Sequence, residues 1–110
     1  MPSDQKTVDF ITSQMKDAGN IIAKKFFGEY GVYCDGKLFG VICDNQLFIK
    51  PTKEGREFIG NPVEAQPYYN AKLNFLITDQ VNDSEWLCNL VKITIDNLPE
   101  PKPKKSKKQK

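Results

Sequence analysis

Asp35-Gly36 stands between two apolar-rich runs, residues 30–34 and 37–43. An Asp-Gly pair in that setting demands a tight reversal, because a type I′ turn needs positive φ at both central positions and these residues tolerate it. Asp44-Asn45 is a second, weaker pair of the same kind. The stretch 27–50 therefore reads as three short antiparallel strands joined by two-residue turns. Such turns fix the register: Cys34 faces Lys37, Val32 faces Phe39, Cys43 faces Gln46, and Gly31 falls opposite Gly40. Glycines inside strands mark either a bulge that bends the sheet or a gap into which a partner's side chain fits. With alternating side chains, one face carries Tyr30, Val32, Phe39, Val41 and Phe48. The other carries Tyr33, Leu38, Ile42, Leu47 and Ile49. Both faces are largely apolar, whereas a lone antiparallel sheet ordinarily keeps one face wet. Each face therefore needs a cover: helices of this chain on one side, and a second subunit over part of the other.

The flanking sequence supplies the helices. Ser3 or Asp4 is placed to cap a helix reaching about residue 18, with Val8, Ile11, Met15 and Ala18 as its apolar stripe. Gly19 follows where a left-handed cap belongs. Residues 20–27 read as the beginning of the first strand, which enters the meander through a bend at Gly28. After Pro51, Thr52 is a good N-cap for a short helix over 53–59 that Gly60 ends, with Gly55 weakening its middle. Residues 61–71 read as a loop with a short strand around Tyr68 and Tyr69. A further strand covers 73–78, with Leu73, Phe75 and Ile77 on one side. Asn82 and Glu85 have capping-box spacing before a last helix over 83–98. The fold class is α+β in the order α-β-β-β-α-β-β-α, an antiparallel sheet with helices packed against it.

The 110 residues suit one domain over 1–98. The last twelve residues differ sharply from the rest. They hold six lysines and one glutamate, net +5, while residues 1–98 hold ten Lys plus Arg against thirteen Asp plus Glu, net −3. The formal +2 thus conceals a mildly acidic body and a basic tail. That tail, 99–110, is proline-interrupted and is expected to be disordered. Its lysines, Lys102, Lys104, Lys105, Lys107, Lys108 and Lys110, are candidate nucleic-acid contacts through counterion release, which gives affinity without reading sequence.

Little in the chain specifies a reaction. There is no histidine, no Gly-rich phosphate loop, no G-x-S-x-G elbow and no C-x-x-C pair. No catalytic residue, cofactor site or metal site is expected. Glu29, flanked by Gly28 and Gly31, lacks the partners that a general base requires. Cys34, Cys43 and Cys88 are odd in number and widely spaced, so they read as reduced thiols of a cytoplasmic protein. No apolar run approaches a membrane span. Candidate partner or anion contacts are Lys24, Lys25, Gly28, Glu29, Gly31, Lys50, Tyr68, Tyr69 and Lys72. Isolated lysines are usually solvated surface, but here they lie near aromatics on which a base or a partner could stack.

The same residues carry a resemblance. S-D-Q near the start, A-K-K-F-F-G-E-Y-G-V-Y-C-D-G-K-L-F-G through the first hairpin, L-F-I-K-P-T after the second, and the closing W-L segment resemble the N-terminal domain of the TfoX/Sxy family over about residues 3–98. Phe27, Gly28, Gly31, Tyr33, Asp35, Gly36, Leu47 and Lys50 fall on the family pattern. Where such proteins commonly carry arginine-lysine before the Phe-Gly, this chain has Lys24-Lys25 and then Phe26. The resemblance implies a topology similar to secretion-chaperone-like α/β domains, which often pair, and hence a homodimer. It also implies a non-enzymatic role in regulating transformation competence, with a DNA-bound transcription factor as protein partner. The full-length regulators carry a second, C-terminal domain, and only the N-terminal one is resembled here. The family offers no catalytic residues to carry over. The alternative reading is a nucleic-acid-binding accessory protein that uses the tail and the surface lysines.

Overall fold

The computed structural model describes residues 3–26 and 28–98. Both turn pairs behave as their chemistry requires. Asp35 and Gly36 have φ of 52° and 86°, and Asp44 and Asn45 have 53° and 61°. They join β2 (Glu29–Cys34), β3 (Lys37–Cys43) and β4 (Gln46–Ile49), with Cys34 opposite Lys37 and Cys43 opposite Gln46 as expected.

The first strand is not one bent element. β1 (Ile21–Phe26) pairs antiparallel with β2, Phe26 opposite Glu29. Two residues remain for the reversal, and Gly28, at φ 83°, is the second. The meander therefore has four strands where the sequence suggested three. Two more follow, β5 (Val63–Ala65) and β6 (Asn74–Ile77), and complete one sheet in the order β1-β2-β3-β4-β6-β5 with every neighbouring pair antiparallel. The short strand expected at the tyrosines lies at Val63–Ala65 instead. Leu73 precedes β6 and is half exposed, while Phe75 and Ile77 are buried as a pair.

The larger correction is inside β3. Tyr33 pairs with Leu38, but Val32 pairs with Gly40, so Phe39 and Gly40 together oppose Val32. This is a β-bulge, which inserts one residue and reverses the facing of all that follows. Gly31 lies opposite Val41, not Gly40. Phe39 joins Ile42, Leu47 and Ile49 in the main core, and Val41 joins Phe48 and Cys43 on the other face. The two faces inferred from strict alternation were therefore mixed beyond residue 39. Val32, in the main core, and Leu38 still lie on opposite sides.

All three helices cover the face that holds Phe39. α1 (Gln5–Met15) buries Val8, Ile11 and Met15, and a 3-10 turn over Lys16–Ala18 extends it. Gly19 ends it at φ 155° and ψ −159°, an extended mirror-image conformation open essentially to glycine alone, rather than the left-handed cap expected. α2 (Lys53–Ile59) begins at Thr52, whose hydroxyl accepts from the Gly55 amide at 2.8 Å. Gly55 has a packing reason that propensity hides: a Cβ there would lie 2.8 Å from that hydroxyl. α3 (Ser84–Asn97) buries Leu87, Cys88, Leu90, Val91 and Thr94. Its cap is Asp83, which accepts from the Trp86 amide at 3.1 Å, rather than Asn82. The Gln14 carbonyl accepts from the Ser84 hydroxyl at 2.7 Å and the Cys88 thiol at 3.3 Å, joining α1 to α3. Phe58 and Trp86 stack at 5.3 Å between α2 and α3.

Candidate functional site

With the helices on one side, the opposite face of the sheet is crossed, among the described residues, by the chain's own loop. A second, smaller apolar cluster lies there: Val41, Cys43 and Phe48, with Phe26, Ala65 and Leu76 against it. The connection 66–73, between β5 and β6, crosses this face as a strap. It is held by a turn in which the Ala71 amide donates to the Tyr68 carbonyl at 3.1 Å, and by Gln66 Nε2 on the Ala71 carbonyl at 2.8 Å. Asn70 takes the left-handed conformation there, φ 67°. The strap reaches β1, where the Tyr68 ring meets Phe26 edge-on with centroids 6.5 Å apart.

Beneath the strap lies a cleft of about 400 Å³. Leu38, Val41, Leu73 and Leu98 give it apolar walls, and Tyr68 lines it beside them. Lys50 and Lys72 are the charged residues among those lining it, and no carboxylate does so among the described residues. Three of the sequence candidates, Lys50, Tyr68 and Lys72, are thus brought together. Tyr69 lies in the strap and is 88% exposed.

The other candidates separate. Lys24 and Lys25 are adjacent in β1 and so project to opposite faces. Lys24 lies over the Tyr33 ring at 5.5 Å on the helix-free side. Lys25 lies over the Tyr30 ring at 4.7 Å, and the Tyr30 hydroxyl meets Gln5 of α1 on the helical side. They do not form one basic face. Gly28 is a turn residue. Gly31 lies mid-strand between Lys24 and Val41.

Glu29 is a structural clamp. Its Oε1 accepts from the Ser3 amide at 2.9 Å and its Oε2 from the Asp44 amide at 3.0 Å. The Ser3 hydroxyl accepts from the Asn45 amide at 2.9 Å, and the Asp4 amide donates to Asn45 Oδ1 at 2.7 Å. The start of α1 is thereby tied to the β3–β4 turn. Burial pushes the Glu29 carboxyl up, but the hydrogen bonds from Asp44 and Ser3 outweigh it and hold the group below the ordinary 4.5. A carboxyl depressed in the folded state stabilises fully above its unfolded pKa, and that contribution is lost as pH falls through the folded value. Glu29→Gln is therefore expected to be less stable than wild type at pH 7, with the gap closing below about pH 4.5. Urea titrations of both proteins at neutral and acid pH check this, and a gap that widens on acidification would contradict the clamp.

The thiols are not poised for chemistry. All three are free and buried. Burial, then the neighbouring Asp35, pushes the Cys34 thiol up. Burial, then Glu29 and Asp44, pushes Cys43 up to about 11. The Lys37 ammonium, across the turn from Cys34, donates instead to the Ile95 carbonyl at 3.1 Å, near the C-terminal end of α3 where a cation suits the helix dipole. In the native protein at pH 7, a disulfide-exchange reagent is expected to label Cys34 and Cys43 slowly, and to label both promptly once the chain is denatured. Rapid native labelling of either would contradict this arrangement. No cluster of three or more potential ligand side chains converges among the described residues, and none of the described helices is long and apolar enough to cross a membrane.

Sequence reasoning missed Phe26, Leu38, Val41, Leu73 and Leu98 as parts of the cleft. Each had a plain reading as strand or helix core, and only the bulge and the strap reassign them.

These features define an α+β domain with one helix-covered and one helix-free sheet face. The chain belongs to the TfoX N-terminal domain family, which it matches over residues 13–98. It is also similar to an uncharacterized 12.7 kDa protein in trpE 5'region of Spirochaeta aurantia, 36% identical over 107 residues that span 97% of this chain and 93% of that protein.

Proposed function

We propose that this chain is a non-enzymatic interaction module that docks a partner protein on the helix-free face of its sheet. One observation carries the reading. Of the six large hydrophobic side chains that stand exposed among the described residues, five belong to that face or its strap: Ile22, Val63, Tyr68, Tyr69 and Leu73. Only Phe10, on α1, lies elsewhere. Apolar surface gathered on one side marks a binding surface more often than scattered single residues do. Membership of the TfoX N-terminal domain family extends the proposal to an accessory role in transcription, of the competence-regulator kind. A second copy of the chain, giving a homodimer, is one partner this face would serve.

The test pairs sedimentation velocity with affinity capture from the native host, using wild type, the double variant Tyr69→Asp/Leu73→Asp, and Phe10→Asp as control. Loss of the heavier species or of the captured protein in the double variant, with the control unaffected, is the expected result. Identical behaviour of all three proteins would overturn the reading.

A second reading rests on the lysines of the tail, Lys102, Lys104, Lys105, Lys107, Lys108 and Lys110, which lie outside the described residues. Lys24 and Lys25 face opposite ways, so they offer duplex DNA no shared basic face. We propose that any DNA affinity resides in 99–110. Removing those residues is then expected to abolish binding, and the intact chain to show a slope of about −5 in log affinity against log salt if all six lysines engage phosphates. Salt-independent binding, or binding that survives the truncation, would refute this.

A further inference from the structure

We infer that the cleft under the strap seats an acidic–apolar segment of a partner protein, with a large aliphatic or aromatic side chain entering between Leu38, Val41 and Leu73 and flanking carboxylates meeting Lys50 and Lys72. This rests on the interaction-module reading and adds the chemistry of the partner. The volume, about 400 Å³, is within the range of sites that enclose a small ligand or an anchoring side chain, roughly 300–1,000 Å³.

The charge pattern selects the partner. Residues 1–98 carry net −3, yet both charged residues lining this cleft are lysines. Neither ammonium group makes a hydrogen bond or ion pair with another described residue, so both are available to a ligand. A basic segment would be repelled, and an acidic one steered in.

Three other occupants fit less well. A small organic acid would fill the cleft but leave Tyr69, Val63 and Ile22 uncovered beyond it. Single-stranded nucleic acid asks for open aromatic platforms. Here the walls are mostly aliphatic, and Tyr68 is already engaged with Phe26. A second copy offers Asp9-Phe10 as an acidic–aromatic pair, but on α1, behind the sheet. That contact would join unlike surfaces and propagate rather than close.

The experiment selects a random peptide library against the full chain and against Lys50→Glu/Lys72→Glu, with circular dichroism confirming that both are folded. Wild type is expected to enrich peptides with an aromatic or aliphatic anchor flanked by Asp or Glu. The double variant should enrich Lys or Arg flanks around the same anchor. Individual peptides should change affinity by about tenfold or more between the two proteins. Selection without charge preference, or the same preference in both proteins, overturns the inference. So does tighter binding of oligothymidylate than of the best peptide. If Tyr69→Asp/Leu73→Asp abolishes partner capture while the lysine substitutions leave it intact, this inference alone falls and the interaction-module reading stands.

Discussion

Phe39→Ala is expected to destabilise the domain by about 3–5 kcal/mol, the cost of truncating a fully buried phenylalanine. That is a large fraction of the roughly 5–15 kcal/mol that holds a domain together. Phe39 is wholly inaccessible and packs with Ile42, Leu47 and Ile49 beneath the helices. Its neighbour Leu38 lines the open cleft instead. Leu38→Ala removes apolar area that is only partly withdrawn from water and should cost about 1 kcal/mol. Urea denaturation of the two variants side by side reads the facing of β3 directly. Equal losses would mean that Phe39 is not buried beneath the helices with Leu38 on the open face.

Gly40→Ala should also be clearly destabilising although it adds one methyl group. A Cβ at Gly40 would lie 2.3 Å from the Phe48 carbonyl oxygen and 3.3 Å from Ile49 Cα. Those are backbone atoms of the paired strand, so the β3–β4 ladder itself must move. Overpacking of this kind costs about 1–3 kcal/mol, occasionally more. At about 4–8 °C per kcal/mol for a domain of this size, the melting temperature should fall by roughly 4–24 °C. Gly31→Ala is the control. Its nearest obstacle is the Leu38 Cδ1 methyl at 3.2 Å, the end of a side chain that can give way. It should melt within a few degrees of wild type. A Gly40→Ala protein that melts with the Gly31 variant would remove the close approach from the account.

The contrast between these two glycines also shows which parts of the fold were legible in the sequence. Asp35-Gly36 and Asp44-Asn45 announced their turns because positive φ is a local demand that few residue types meet. The stripe Val8, Ile11, Met15 and the cap at Thr52 were legible for the same reason: they are written within one or two helical turns. The reversal after Phe26 was hidden, since Gly28 has no Asn or Asp beside it and looked like a bend. The bulge was half legible. Glycines at 31 and 40 pointed to an irregularity that bends the sheet, but not to which residue is inserted, and strict alternation then gave Val41 the wrong face. The cleft suffered most, because Lys50, Tyr68 and Lys72 meet through a connection that crosses four strands. Their residue types suggested anion contact, but their convergence is a property of the strap.

The margins of the sheet add a constraint on how the protein meets others. β1 is the outermost strand among the described residues, and it carries Lys24 and Lys25 in succession. The opposite margin, β5, is three residues long, with Pro62 immediately before it and Pro67 two residues beyond. Charge on one border, and brevity with flanking prolines on the other, discourage recruitment of a further strand from a neighbouring chain. Lateral growth into ribbons or fibrils is thereby disfavoured at both borders of the described sheet.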